Sequence, residues 1–258
     1  MMIISIMNLK GGIGKTTTTV NLGYLIAEKQ NKRVLIIDND PQGNASSFFQ
    51  IQKTNDKNLP QIFTEVMDGS ILPIIPQHTQ YKRVDILTSD MNLSTCNIEL
   101  SKQKTDKQLN LYKNIIENIV QHYDVILIDN APNITPLTVS ALLASNKVII
   151  PVEADKLSID GANEVINQIT EANRAGFNEL RLGGILFTKF NKRARVDNET
   201  FKYVKNGQLT GGIKHKVYDT AIRHTVKVKE ATFSRKPLEF ACKNSNAACD
   251  YRKLLEEI

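Results

Sequence analysis

A chain of 258 residues, 41% of them hydrophobic, can bury a full core, and no run reaches the ~18 apolar residues of a spanning helix. Cys96, Cys242 and Cys249 form no C-x-x-C pair and read as reduced thiols, against a disulfide framework or a cysteine metal site. The net charge of +6 is segregated, with 16 Lys+Arg against 19 Asp+Glu in residues 1–180 and 17 against 8 in residues 181–258, which suggests a face that meets a polyanion, with a solvated lysine-rich surface as the alternative.

Residues 2–7 read as a first strand, and they lead into Asn8 and Lys10 without a small-residue cleavage site, so a cytoplasmic chain is expected. Val20, Tyr24 and Ala27 then recur at helical spacing, before a second strand, "RVLIID", at 33–38. Residues 52–82 are polar and hold Pro60, Pro73 and Pro76, which predicts surface loops and a short helix. Leu109, Tyr112, Ile116 and Ile119 mark a further helix, followed by strand runs at 125–129 and 147–152. Val165, Ile166, Ile169 and Ala172 mark the next helix, and "LGGILF" at 182–187 the next strand. The final stretch, "NSNAACDYRKLLEEI", predicts a helix with Ala247, Ala248, Tyr251, Leu254 and Leu255 inward. Continuous rather than alternating apolar runs are strands covered on both faces. Their alternation with helices predicts an α/β fold: a doubly wound, mainly parallel sheet flanked by helices, with residues 1–258 as a single domain.

The stretch "MNLKGGIGKTTTT" at 7–19 follows the first strand and opens the first helix, the context of a phosphate-binding loop. Gly11, Gly12 and Gly14, with Ile13 between them, let backbone N–H groups turn toward phosphate oxygens at a helix N-terminus. Lys15 is placed to neutralise the β- and γ-phosphates, the Thr16 hydroxyl to ligate Mg²⁺ and Thr17 to donate to the α-phosphate. Leu9 stands where the ordinary G-x-x-x-x-G-K-[ST] pattern has its first glycine, and beside it is a second lysine, Lys10. "LIIDNDPQGNAS" places Asp38 and Asp40 at the carboxyl edge of the second strand, where ligands bind in open α/β sheets. "VILIDNAP" places Asp129 at the same edge, in the form of an aspartate that holds Mg²⁺ through water.

"KGGIGKTT", "DNDPQGNAS" and "LIDNAP" together resemble the deviant Walker A ATPases of the ParA family, relatives of MinD and the nitrogenase iron protein. "VYDTAIRHTVKVKEATFSRKPL" at 217–238 is similar to that family's late segment, so the resemblance covers nearly the whole chain. It implies a Mg²⁺-dependent ATPase of slow intrinsic turnover, in which Lys10 reaches across a nucleotide-sandwich homodimer to the partner's ATP. Asp40 is implied to orient or activate the attacking water, with a water-mediated metal contact as a further option, while Asp38 organises the site. "NKRA" at 191–194 has Ala194 where a guanine reader has an aspartate, so it offers no support for GTP. The family's adenine segment reads I-P-R-N where this chain has Ile222, Arg223, His224 and Thr225, which makes Arg223 and Thr225 the nucleotide-contact candidates and leaves Arg223 open to DNA as well.

Members of this size are implied to bind DNA without sequence preference, and Arg193, Arg195, Arg223 and Lys227 are the candidates for that contact. With the loop so close to Met1, no helix-turn-helix arm is expected ahead of it. A centromere-binding partner protein that stimulates hydrolysis, and nucleoid association, are implied by the resemblance alone. A MinD-like membrane-associated ATPase is the rival within the family, but no basic amphipathic tail follows, and no membrane contact is expected. An iron–sulfur carrier would need clustered thiolates that the three cysteines do not supply. A nucleotide-gated scaffold with negligible hydrolysis is the remaining alternative.

Overall fold

The computed structural model describes residues 1–51, 57–70, 73–177, 180–208 and 215–258. Its centre is β1 (Met2–Ile6), flanked by β5 (Val125–Asn130) and β6 (Lys147–Val152). Outward on one side lie β2 (Val34–Asn39), β4 (Val84–Leu87) and the short edge strand β3 (Gln77–His78); on the other lies β7 (Arg181–Phe187). Among the described residues, all strand pairings are parallel except β3 with β4. Every residue of β2 and β5 is buried, as continuous Val/Ile/Leu runs demand when helices cover both sheet faces.

One face is covered by α1 (Lys15–Gln30), α2 (Asn44–Phe49), α9 (Val226–Phe233), α10 (Leu238–Ala241) and α11 (Asn246–Glu257), whose apolar side chains pack with Ile4, Ile36 and Leu127. On the other, α3 (Leu59–Met67), α4 (Asn92–Ser101), α5 (Thr105–Glu117) and α6 (Pro136–Leu143) meet Leu35, Ile37, Ile126 and Ile128. The alternation of Leu35 and Ile36 between the two clusters is the period-two pleat of a strand. A third cluster joins α7 (Lys156–Arg174) and Val204 of α8 (Arg195–Lys205) to β6 and β7.

The doubly wound, mainly parallel architecture predicted from the sequence is the one observed, with strand limits shifted by a residue at some ends. The short helix expected within 52–82 is α3, started by a capping box between Asn58 and Gln61 with Pro60 in its first turn; residues 52–56 and 71–72 of that stretch lie outside the described residues. Sequence reading missed β3 and β4. A four-residue run interrupted by Asp85 and a two-residue antiparallel edge carry too little periodic signal to be recognised alone. In α11, Ala247, Ala248, Tyr251 and Leu254 are buried as expected, while Leu255 is half-buried and Asp250, unanticipated, is buried with them.

Register positions the site. Ile6 of β1 and Asp38 of β2 both face Asp129 of β5 across the sheet, so the end of the first strand and two carboxylates arrive at one level of the carboxyl edge.

Candidate nucleotide site

Past Ile6 the chain climbs over the sheet edge into α1. Gly12 and Gly14 take φ of 76° and 89°, left-handed values that a Cβ would penalise, and Gly14 caps α1 without a side chain. The loop is pinned from three directions. Buried Ile13 presents its carbonyl to the Thr188 hydroxyl at 2.8 Å, tying the loop to the end of β7. The buried Asn8 amide donates to the carbonyls of Pro151 (2.7 Å) and Ser158 (3.1 Å), and its Oδ1 accepts the Lys10 N–H at 3.1 Å. Gly161 on α7 makes room for this, since a Cβ there would stand 2.3 Å from Asn8 Oδ1. On the far side, Thr18 meets the Tyr251 hydroxyl of α11 at 3.2 Å.

Charge is concentrated below the loop. Lys15 is nearly buried, and its Nζ donates to the Lys10 carbonyl at 2.9 Å. Burial pulls its pKa below the ordinary lysine value, against the opposing pull of Asp129 and Asp40. Asp129 accepts from the Thr16 hydroxyl at 2.6 Å and from Thr19 at 3.3 Å. Burial, and then the neighbouring Asp38, push the Asp129 carboxyl up to about 8. Asp38, also buried, is pushed up to about 6, although Ser46 donates to it from both N–H (2.7 Å) and hydroxyl (2.6 Å). Asp40 accepts the Gln42 N–H at 2.9 Å. Three carboxylates against one lysine, beside a hydroxyl, is a hard-oxygen set short of positive charge. It fits Mg²⁺, which takes one or two protein oxygens and draws the rest from phosphate and water.

A cleft of about 680 Å³ opens above these groups, a volume suited to a nucleotide-sized ligand. Gly11, Gly12, Gly14, Lys15, Thr16, Thr17 and Asp40 line it on one side; Arg223 and Thr225 line it on the other. Thr225 caps α9, its hydroxyl accepting the Lys227 N–H at 3.3 Å. The Arg223 guanidinium is already committed: Nη2 lies 2.7 Å and Nε 2.8 Å from the carboxylate oxygens of buried Asp250, so its charge is met within the chain. Lys10 behaves differently from Lys15. It is not among the cleft-lining residues, and its Nζ lies 2.6 Å from Asp155 Oδ2 at the start of α7. Burial raises the Asp155 carboxyl, but the hydrogen bonds from Lys10 and from the Ser158 N–H outweigh it and leave the pKa below the usual value.

Of the other basic candidates, Arg193 is exposed in the turn before α8. Arg195 opens that helix and pairs with Glu199 at 2.6 Å, and Lys227 pairs with Glu230 at 2.7 Å. All three remain at the surface.

The sequence model of a family described as AAA domain matches residues 1–182. The sporulation initiation inhibitor protein Soj of Bacillus subtilis is 33% identical, over 99% of this chain and 97% of its own length. The chromosome-partitioning ATPase Soj of Thermus thermophilus is 31% identical, over 99% and 94%. The chain belongs to the ParA-type partition ATPases. Among solved structures, apo McdA of Cyanothece superposes with a TM-score of 0.86 at 19% identity, covering 99% of this chain and 98% of that one. MinD of Pyrococcus horikoshii, complexed with Mg-ADP, superposes at 0.73 with 21% identity, covering 99% and 95%. At these identities the likeness shows the fold.

Within this ParA-type chain, sequence reasoning overlooked Asn8, Asp155, Thr188 and Asp250. Only Asp155 carried a local signal: "DKLS" ahead of an apolar helical pattern is a helix start, and the Asp155 side chain accepts the Ser158 N–H. The others, apart from the Asn8 bond to the Lys10 N–H, act through contacts more than twenty residues away in sequence, which no local pattern encodes.

Proposed function

We propose that this partition ATPase works as an ATP-driven switch: ATP with Mg²⁺ closes a sandwich homodimer, the dimer binds DNA without sequence preference, and partner-stimulated hydrolysis releases it. The observation that carries the reading is the different fate of two lysines on one loop. Lys15 turns inward to the cradle, whereas Lys10 lies outside the cleft lining, paired with Asp155, a cation from which the cleft of its own chain draws nothing and which a second molecule's phosphate could claim.

Mg²⁺ would be held at the Thr16 hydroxyl and, through water, at Asp129, and would neutralise charge on the transferred phosphoryl group. The residues supply the rest. Glycine-loop N–H groups and the α1 N-terminus hold the phosphates, Lys15 offsets their charge, and Asp40 positions the attacking water. With so few groups arranged around one water, slow intrinsic turnover is expected.

DNA retardation with ATP, ADP and no nucleotide tests the switch. ATP-dependent, salt-sensitive binding that Lys15→Ala abolishes is expected; equal binding in all three states would rule it out. Lys10→Ala is expected to retain nucleotide while failing to assemble a hydrolysis-competent dimer, and wild-type turnover in that variant would remove the cross-subunit role. A centromere-binding partner would be recognised in a separate phosphate-release assay, as the protein that accelerates hydrolysis in the presence of DNA.

A further inference from the structure

The segment from α9 to α10 carries exposed apolar side chains, of which Phe240 still meets the core ring of Tyr81 edge-on, 6.0 Å between centroids. Phe233 is 93% exposed, Val226 62% and Phe240 58%. Val226 and Phe233 are seven residues apart in α9, so they share one face, with Lys229 between them, while Val228 and Ala231 turn toward the core. Beyond Phe233 the helix ends in a turn in which the Lys236 N–H reaches the Ala231 carbonyl at 3.0 Å. That closure holds Arg235 at φ 53°, a left-handed position that glycine would occupy without strain. Lys236 in turn lies 5.7 Å over the Phe240 ring. Exposed Phe233 thus shares one short segment with three exposed cations, Lys229, Arg235 and Lys236, a combination that matches a polyanion which also offers flat apolar surfaces.

Resting on the reading that this chain binds DNA, we propose that this apex is a contact for single-stranded DNA, in which Phe233 stacks on an unpaired base while Lys229, Arg235 and Lys236 meet the flanking phosphates. Duplex DNA hides its base faces and offers Phe233 nothing comparable. A membrane is the poorer match, because the exposed stripe is two residues of an eight-residue helix, not the continuous apolar face of an interfacial one. Lys229, Arg235 and Lys236 also line the nucleotide cleft, so strand binding and nucleotide occupancy share a wall.

Binding of a poly-dT oligonucleotide and of a duplex of equal length, each measured across a salt series with Mg-ATP, tests this on the full chain. Phe233→Ala is expected to lose about tenfold or more on the single strand with an unchanged salt slope, and less than about twofold on the duplex. Arg235→Gly, which relieves the left-handed strain and so should fold, is expected to lower the single-strand slope by about 0.7. Unchanged single-strand binding in Phe233→Ala, or an equal loss on both DNAs, overturns the stacking contact. So does Phe233-dependent binding to anionic phospholipid vesicles without binding to the oligonucleotide. Wild-type protein that retains the duplex while Phe233→Ala changes nothing refutes only this inference; wild-type protein that binds neither DNA refutes the underlying reading.

Discussion

Lys10 and Asp155 hold each other at 2.6 Å with 29% and 37% of their side-chain surfaces exposed, a geometry worth no more than about 1 kcal/mol to stability. Its interest lies in what it restrains, since a cation held in its own chain is withheld from another. Asp155→Asn keeps an α7 cap of the same shape but removes the charge. It should raise the fraction of ATP-dependent dimer in light scattering several-fold, and an unchanged or smaller fraction would contradict this. The buried carboxylates make a second prediction. An unfolded aspartate titrates near ~4, but Asp38 and Asp129 are raised to about 6 and about 8. Across that window the folded protein binds protons that the unfolded chain has released, so stability falls as pH rises. Without magnesium and nucleotide, the Tm of the wild type should therefore drop more between pH 6 and 8 than that of Asp129→Asn; parallel profiles would show that the carboxyl carries no such load.

At the scale of elements, α11 and the segment entering α9 are clasped by Arg223 and Asp250. The arginine lines the cleft, but its guanidinium and its backbone N–H, 3.0 Å from Asp250 Oδ2, both serve the carboxylate. Removing the guanidinium would leave the buried carboxylate with the backbone N–H but without a counter-charge. Arg223→Ala is thus expected to cost about 3 kcal/mol in denaturant unfolding. A variant of wild-type stability with lost nucleotide or DNA affinity would instead return Arg223 to a ligand-contact role. This clasp could not be read from "IRHT", where arginine stands in the place of the family's proline, because its partner lies 27 residues on in another helix. By contrast, α7 and α11 were legible from spacing alone, since each buries one apolar stripe, whereas α1 is buried nearly all round between Thr18 and Ala27.

For the molecule as a whole, the positive surplus of residues 181–258 is the charge on which the proposed DNA contact would draw. Arg193, Arg195 and Lys227 lie exposed in that third, in the turn before α8, at the start of α8 and in α9. If Arg195 meets a phosphate, Arg195→Ala should weaken duplex binding alike across sequences and reduce the salt slope by about 0.9. An unaltered slope would move the contact elsewhere on the basic third.

The sequence by itself determined the layered α/β architecture, the phosphate loop and the strand-end aspartates, because each is written in residues adjacent in the chain: unbroken apolar runs, glycines, a helix start. Tertiary structure alone decided how those groups are used. It set Ile6 and Asp38 level with Asp129 across the sheet, turned Lys10 to Asp155 and gave Arg223 to Asp250. Partner choice by a charged side chain depends on which distant carboxylate packing brings within about 3 Å and how far water is excluded there, and neither quantity exists before the chain has folded.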